Sequence, residues 1–409
     1  MAVPTINAII NFSTGPSTAQ AMQLDIGILG TNVLADGVSV IVDVSDRVNL
    51  VQTSTGRNPL ADQFQTGQLT LRIVDQNGDF NPTNSTGPYF GLLTPMKKVQ
   101  ITANYSGTTY PIFSGFITSY LNTQPKDATE VAYTTIQAVD AMRLAYNAQI
   151  STVTGATAGD LSGTRIEQIL DEIDWPASMR LIDPGQTTLQ ADPGTARTSL
   201  GAMQTVAQSE YGAIYVDFNG EFVFKDRQTA TTSITQTPTL FADDGTGITY
   251  ANAVWKLDDT LIFNSAQISR LGSTPQTAIN QPSIDKYFIH SYNLQGLLMQ
   301  TDAVALDYAR AYVASRAETT IRCDAIELDL YTSNYNSGIL AALNLDFFDP
   351  ITVITTQPGG SKLEKTLQIF GVANTITPNS FRTVFTTLEP VIDGFILGYS
   401  ALDEDVLSY

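Results

Sequence analysis

Apolar and polar residues alternate with a period of two over many short stretches of this chain, and turn-forming clusters separate the stretches; this is the pattern of half-buried strands. In Gln68–Ile73 the residues Leu69, Leu71 and Ile73 fall on one face, and Val99, Ile101 and Ala103 alternate with Gln100 and Thr102. Ile326, Leu328 and Leu330 alternate with Glu327 and Asp329, so that strand is expected to carry a wet, acidic face. Residues 211–225 read as a hairpin, with Ile214–Phe218 and Glu221–Phe224 on either side of Asn219-Gly220. That pair suits a type I′ turn, whose two central residues both need positive φ.

A period near 3.6 replaces the alternation three times. From Thr164 to Trp175, Ile166, Ile169, Leu170 and Ile173 form a stripe, Thr164 and Glu167 have capping-box spacing, and Pro176 closes the segment. A second helix runs from about Ser199 to Ser209, with Leu200, Met203 and Ala207 inward and Gly212 beyond its end. The longest spans 301–316, striped by Ala305, Tyr308, Ala309 and Tyr312, with Asp302 at the positive N-terminus. The expected fold class is therefore mainly β with α+β insertions. The small, polar stretches 151–163 and 229–239 read as linkers, and the chain after Pro390 leaves the strand pattern. The expected layout is an N-terminal β domain (1–150), a small α+β domain (151–235), a second β domain holding the long helix (236–390) and an acidic tail (391–409). The two β domains are expected to be barrel- or sandwich-like and to flank the α+β domain.

Composition narrows the chemistry. The 409 residues carry 21 basic and 40 acidic side chains, a formal charge of −19, which disfavours an electrostatic grip on nucleic-acid phosphates. Cys323 has no partner for a disulfide, and His290, the only histidine, cannot build a multi-histidine zinc or imidazole site. The N-terminus lacks the basic and apolar regions of a secretory signal, and no apolar run is long enough to span a bilayer, so synthesis in a cytosol is expected. Asp75–Asp79 resembles a calcium loop but lacks the glycine and glutamate positions of an EF-hand, so it reads as a hairpin turn at Asn77-Gly78. Asp243-Asp244-Gly245-Thr246-Gly247 reads likewise as a turn after Phe241. Cys323 reads as a packed strand residue and His290 as a structural imidazole. The carboxylate pairs Asp171/Glu172 and Asp258/Asp259 carry no weight in so acidic a chain, and no P-loop, dinucleotide fingerprint or nucleophile elbow is present. No catalytic, cofactor-binding or metal-binding residue is expected.

One ordered set of motifs carries more information. Gly56-Arg57 leads into Asp62-x-Phe64-x-x-Gly67-x-x-Thr70-Leu71, then Asn77–Pro82, Gly87–Gly91, Leu93–Met96 and Phe113-Ser114-Gly115-Phe116. Arg165–Asp171 and Trp175-Pro176 follow, then Val206–Asp217 with Gly220, Phe224 and Arg227, and finally Phe370-Gly371 through Pro378, Phe381 and Thr383. This order resembles the minor tail proteins of long-tailed (siphovirus-type) bacteriophages, the tail-tip or baseplate hub family, which is similar to the trimeric central hub of contractile tails.

The resemblance implies a non-enzymatic virion protein at the tail tip. Three copies would form a ring that joins the six-fold tail tube to a three-fold tip and lines the DNA channel. Implied partners are the distal tail protein, the tail tube, the tape-measure C-terminus and a central fibre or spike, with genomic DNA passing without sequence-specific binding. Some hubs carry an appended peptidoglycan hydrolase; residues 391–409 are too few for one. If part of the charge lines the channel, DNA slides by repulsion, and acidic side chains should concentrate on lumen-facing strands. Two other classes compete: a carbohydrate-binding or adhesin module, whose nearest exposed-aromatic candidates are Tyr331, Tyr335, Phe347 and Phe348, and a hydrolase built on carboxylates.

Overall fold

The computed structural model describes residues 3–13, 40–58, 63–125, 127, 130–331 and 336–389. The chain opens with β1 (Thr5–Asn11), β2 (Ile41–Asp43), β3 (Val48–Asn58), β4 (Gln63–Val74), β5 (Lys98–Tyr105), β6 (Thr108–Thr123) and β7 (Tyr133–Val139). A mixed segment follows: α1 (Met142–Asn147), β8 (Gln149–Ile150), α2 (Ser162–Glu172), β9 (Arg180–Ile182), β10 (Arg197–Thr198), α3 (Ser199–Glu210), β11 (Ala213–Val216), β12 (Phe222–Lys225) and α4 (Arg227–Thr232). Next come β13 (Thr239–Ala242), β14 (Asn252–Lys256), β15 (Ser265–Arg270), β16 (Gln276–Ile279), α5 (Gln281–Tyr287), β17 (Ser291–Leu297) and α6 (Asp302–Arg316). The last elements are β18 (Arg322–Asp329), α7 (Asn336–Asn344), β19 (Pro350–Thr356), β20 (Lys362–Thr377) and β21 (Ser380–Leu388).

The chain is mainly β with α+β insertions. One 13-stranded sheet runs β14-β18-β21-β20-β3-β4-β7-β6-β5-β1-β2, with β19 also beside β20 and β13 beside β19. Among the described residues it has two ends with no further strand and forms no closed barrel. Alternation builds it as expected: Leu69, Leu71 and Ile73 of β4 and Val99, Ile101 and Ala103 of β5 are buried, and their neighbours are not. In β6 the run Ile112–Ile117 is buried on both faces. The sheet's core continues into α2, α3, β11 and β12. A smaller core lies between α6 and the three-stranded sheet β16-β15-β17, where Ala305, Ala309 and Tyr312 meet Ala266, Ile268 and Leu297.

β3 and β20 join the two β-rich ends of the chain, with Gly56 opposite Gly371 and Val51 opposite Ile376. The backbones nearly touch there. A Cβ on Gly56, whose φ is +155°, would stand 2.6 Å from the Gly371 Cα. Arg57 then lays its guanidinium over the Phe370 ring at 5.2 Å. Two of the sequence motifs, Gly56-Arg57 and Phe370-Gly371, are thus the two sides of one contact.

Several local expectations need correction. Asn219-Gly220 does not form a type I′ turn: Asp217 and Glu221 close a longer loop by Asp217 N–H to Glu221 O (3.0 Å), and only Gly220 has positive φ. Asp217 Oδ1, accepting from the amides of Asn219 and Glu221, takes over the turn. The turn at Asn77-Gly78 exists, but β4 pairs with β3 and β7, so it opens a long turn-rich passage to β5 and not a hairpin. The second helix of the mixed segment begins at Ser162, so Thr164 and Glu167 are no capping box; the carbonyls of Thr187 and Pro184 accept its first amides. That close approach requires Gly163, whose Cβ would meet Asp183 O at 2.0 Å. The expected linker 229–239 holds the end of α4 and a 3-10 turn at Ser233–Thr235. Glu327 and Asp329 do not form a wet face, because Arg382 of β21 bridges them at 3.1 and 3.7 Å. By contrast, α3 and α6 begin where expected, each with a side-chain cap: the Thr198 hydroxyl accepts from Gly201 N and that of Thr301 from Val304 N.

Gly56→Ala is expected to lower the unfolding free energy by about 2 kcal/mol or more, because the added Cβ must push β3 off β20. Urea denaturation checks it, with Gly91→Ala, where nothing lies within 4 Å, as the milder control.

Candidate functional site

Residues with catalytic potential are engaged in holding the fold. The buried Asp75 carboxylate accepts from Asp79 N (2.8 Å), Phe80 N (3.0 Å) and Thr134 Oγ1 (2.7 Å), which leaves a calcium ion little to bind. Asp243 accepts from Thr356 N and Oγ1, and Asp244 pairs with Lys362 Nζ at 2.5 Å, so that loop is the expected turn. Asp258 lies between Lys256 and Arg322, whose hydrogen bonds hold its carboxyl well below the usual range. Asp171 pairs with Arg180 at 2.6 Å. Cys323 is fully buried in β18, donates to Ala325 O, and has its thiol pushed up to about 11 by burial. His290 precedes β17 in the smaller sheet, and its Nε2 lies 3.2 Å from Tyr287 O. Among the described residues no group of three His, Cys, Asp or Glu is placed to hold a metal.

An aromatic junction is the best-defined local assembly. Phe64 of β4, Tyr215 of β11, and Phe347 and Phe348 of the loop between α7 and β19 meet with ring centroids 4.9–6.2 Å apart. Phe218 and Phe370 extend it at 5.6 and 5.1 Å. Such edge-to-face and tilted pairs add roughly 0.5–1.5 kcal/mol each beyond their buried area. The rings come from the N-terminal strands, the mixed segment and the C-terminal strands, so one cluster ties all three together. Phe347 and Phe348 are therefore core residues and not an exposed glycan platform. Tyr331 is exposed but stands apart from the ring cluster, and Tyr335 lies outside the described residues.

The same loop brings acid to the junction. Burial pushes Asp346 up to about 6 and raises Asp349 also, with Asp217 nearby and Lys225 the facing cation. Asp346 Oδ1 accepts from Phe347 N (2.7 Å), and Asp349 Oδ2 accepts from Asp346 N (2.9 Å). A short distance away Asp140, capping α1 through Met142 N and accepting from Gly67 N, is pushed up to about 7 by burial. Sequence reading took the two phenylalanines as the notable residues of this stretch and missed its aspartates; their burial depends on the packing partner and has no local signal.

No protein-family model and no curated protein matches the sequence. Solved structures do. The tail protein from Neisseria meningitidis MC58 aligns over 85% of this chain and 97% of its own, with a TM-score of 0.56 at 12% identity. The 43 kDa tail protein of prophage MuSo2 from Shewanella oneidensis aligns over 86% and 96%, with a TM-score of 0.54 at 12% identity. The chain has the fold of a phage tail protein. The prophage tail protein gp18 from Listeria monocytogenes EGD-e also aligns, over 93% and 94%, with a TM-score of 0.48 at 11% identity.

Two cavities share Arg57: the first lies where the end of α6 approaches the large sheet, the second on the sheet itself around the β3–β20 contact. The first, of about 110 Å³, sets Arg57, Arg316 and Arg322 against Asp258, Glu318 and Glu389, so its charges balance and it selects no ion. Its neighbour, of about 190 Å³, shares Arg57 and is lined by neutral polar groups of β3 and β4. Among the described residues no helix is long and apolar enough to cross a membrane.

The junction has a pH dependence of known sign. Unfolded, Asp346 ionises near 3.8; folded, near 6. The folded state therefore holds the extra proton between those values, and stability is lost as pH rises through the window. Asp346→Asn keeps the acceptor for Phe347 N and removes the buried charge. It should be up to about 3 kcal/mol more stable than the parent at pH 8 and no more stable at pH 4, as read from urea unfolding at the two pH values.

Proposed function

We propose that this protein is a structural subunit of a bacteriophage tail tip, the baseplate hub, and that three copies close a ring joining the six-fold tail tube to a three-fold tip. The observation that carries this reading is the fold, shared with two tail proteins along nearly their whole length. The meeting of the hub-like motifs in space supports it: Gly56 faces Gly371, and Phe64 packs on Tyr215. The ring would use the two ends of the large sheet. The β14 end on one copy and the β2 end on the next would make a heterologous contact, which closes by rotation; β2 is short and β14 bulged, so side chains and not strand pairing would carry it. Val254 and Leu257 expose apolar surface at the β14 end, as a contact would require.

In this reading the protein acts in the virion after synthesis in the host cytoplasm, without catalysis. It contacts the distal tail protein, the tail tube, the tape-measure C-terminus and a central fibre or spike. The division into a β domain to about 150, an α+β domain to about 235 and a second β domain to about 390 belongs to the same proposal, with the tail 391–409 outside the described residues. Genomic DNA would pass an acidic channel wall by repulsion.

Light scattering on the purified chain should give three times the 44.2 kDa subunit mass, and antibody should label the distal end of tails in negative stain. Val254→Glu should weaken self-association about tenfold or more, that is by about 1.4 kcal/mol, with the fold intact by circular dichroism. A monomer at every concentration, or label along the tail shaft or at the head, would refute the hub.

A further inference from the structure

Sheet edges in this chain are guarded to different degrees. β2 has three residues and β16 four; β14 is broken by a bulge between Val254 and Trp255 and carries Lys256, paired with Asp258. Short length, bulges and lysine are the usual devices against unwanted strand pairing. β17, the edge of the smaller sheet, carries neither lysine nor proline; its ladder with β15 is regular from Ser291 to Leu294 and shifts register only beyond, between Leu294 and Leu297. It is seven residues long, Ser-Tyr-Asn-Leu-Gln-Gly-Leu, with no charge and no proline.

The register fixes which backbone groups are available. Ser265 N–H donates to His290 O (3.1 Å), and Ser265 pairs with Ser291 and Gln267 with Asn293 in a parallel ladder. Tyr292 and Leu294 therefore turn their backbone groups toward β15, and Ser291 and Asn293 turn theirs outward. Among the described residues no strand lies beyond β17 to pair with those two. Their side chains are exposed, as are Gln267 and Thr277 beside them, so this surface is neutral in a chain of charge −19.

An anchor stands at the start of the edge. Phe288 is 78% exposed and has φ +65°, a conformation costly for a bulky aromatic residue. It is not a loose end. Phe288 N–H donates to Ile284 O (2.9 Å), and Phe288 O accepts from Nδ2 of the fully buried Asn264 (2.8 Å). Asn264 Oδ1 accepts in turn from His290 N (2.8 Å). The fold over-determines a strained backbone in order to present Phe288 and the exposed Ile289 directly before β17, a sign of function more than of packing.

We propose that the β17 edge receives an extended strand from a different tail polypeptide, paired with Ser291 and Asn293, uncharged along that length, and seating one apolar side chain on Phe288 and Ile289. Main-chain bonds would supply affinity and the aromatic anchor specificity. A neutral surface favours a neutral strand. A second copy of this chain fits poorly: pairing of two β17 edges is a two-fold contact that three copies in a ring cannot satisfy, and the β2, β16 and β14 edges are short, or bulged and charged. This inference rests on the tail-protein reading above.

Hydrogen exchange read by mass spectrometry on the purified chain and on intact tails tests it. The outward amides of Ser291 and Asn293 should exchange freely in the purified protein and about tenfold or more slowly in tails, while those of Tyr292 and Leu294, bonded to β15, are protected in both. Asn293→Pro removes a single outward N–H, which an edge strand tolerates, so subunit mass and thermal midpoint should hold while protection in tails is lost. Benzoylphenylalanine in place of Phe288 should cross-link in tails to another tail polypeptide; this readout does not depend on the proline variant. Free exchange of the Ser291 and Asn293 amides in tails, their protection already in the purified protein, or a cross-link to a second copy overturns the proposal alone. Absence of the chain from tails overturns it together with the hub reading.

Discussion

The antiparallel pairing of β3 with β20 is the contact on which the large sheet depends. It joins Thr53 to Asn374 across 321 residues of chain. Loop-closure entropy rises only logarithmically with length, so so long a span costs little more than a moderate one; the requirement is a seam specific enough to hold one register. Polar groups provide that specificity. Buried Asn374 donates to Thr53 Oγ1 (3.1 Å) and accepts from Thr383 Oγ1 (2.8 Å), and Thr55 Oγ1 donates to Val372 O (3.2 Å). A one-residue slip would strand these groups among apolar neighbours, at roughly 1–3 kcal/mol each. Without the seam, β4 to β1 and β19 to β21 would be separate sheets, each with a long open edge.

Once the seam is closed, the mixed segment has somewhere to dock. Phe64 lies on β4, next in the sheet to the seam strand β3, and it is there that Tyr215 and Phe347 reach it. Glu210, fully buried at the end of α3, organises the segment from within: it accepts from Thr187 N (2.7 Å), Gln186 N and Ser162 Oγ (2.8 Å). That one carboxylate fixes both the start of α2 and the loop before it. The docking is apolar in its driving force and acidic at its margin, so packing of the rings offsets the cost of keeping Asp346 and Asp349 out of water.

Features with a local cause were legible in the sequence. Period-two alternation located β4, β5 and β18, and α6 was bounded correctly because Thr301 caps it and its stripe of Ala305, Ala309 and Tyr312 is unambiguous. Failures fell where a distant group supplies what the sequence appeared to supply locally. Thr164 and Glu167 have the spacing of a cap, yet the carbonyls of Pro184 and Thr187 do the capping; Asn219-Gly220 has turn chemistry, yet Asp217 sets the turn length. The motifs around Gly56 and Phe370 were visible as a resemblance, but their mutual contact was not, because pairing across such a separation leaves no periodic trace. Exposure of Phe288 and burial of Asp346 run against residue type, and only the folded neighbourhood decides them.

Net charge limits how such a molecule can associate. Its cations are largely spent inside the subunit: Arg322 holds Asp258 and Asp324 at 2.7 Å each, Arg382 spans Glu327 and Asp329, and buried Arg165 reaches Asp160 at 3.1 Å. The described surface is left predominantly acidic, and identical copies repel at long range wherever salt does not screen them. Association must then rest on short-range terms, namely apolar burial and backbone pairing, at places where the acid is absent. β17 with Phe288 is such a place, and so is the exposed apolar end at Val254 and Leu257, where Asp258 is already paired. The acidic composition that first served to exclude a grip on nucleic acid therefore also selects, among the described edges of these sheets, the few at which another polypeptide can approach.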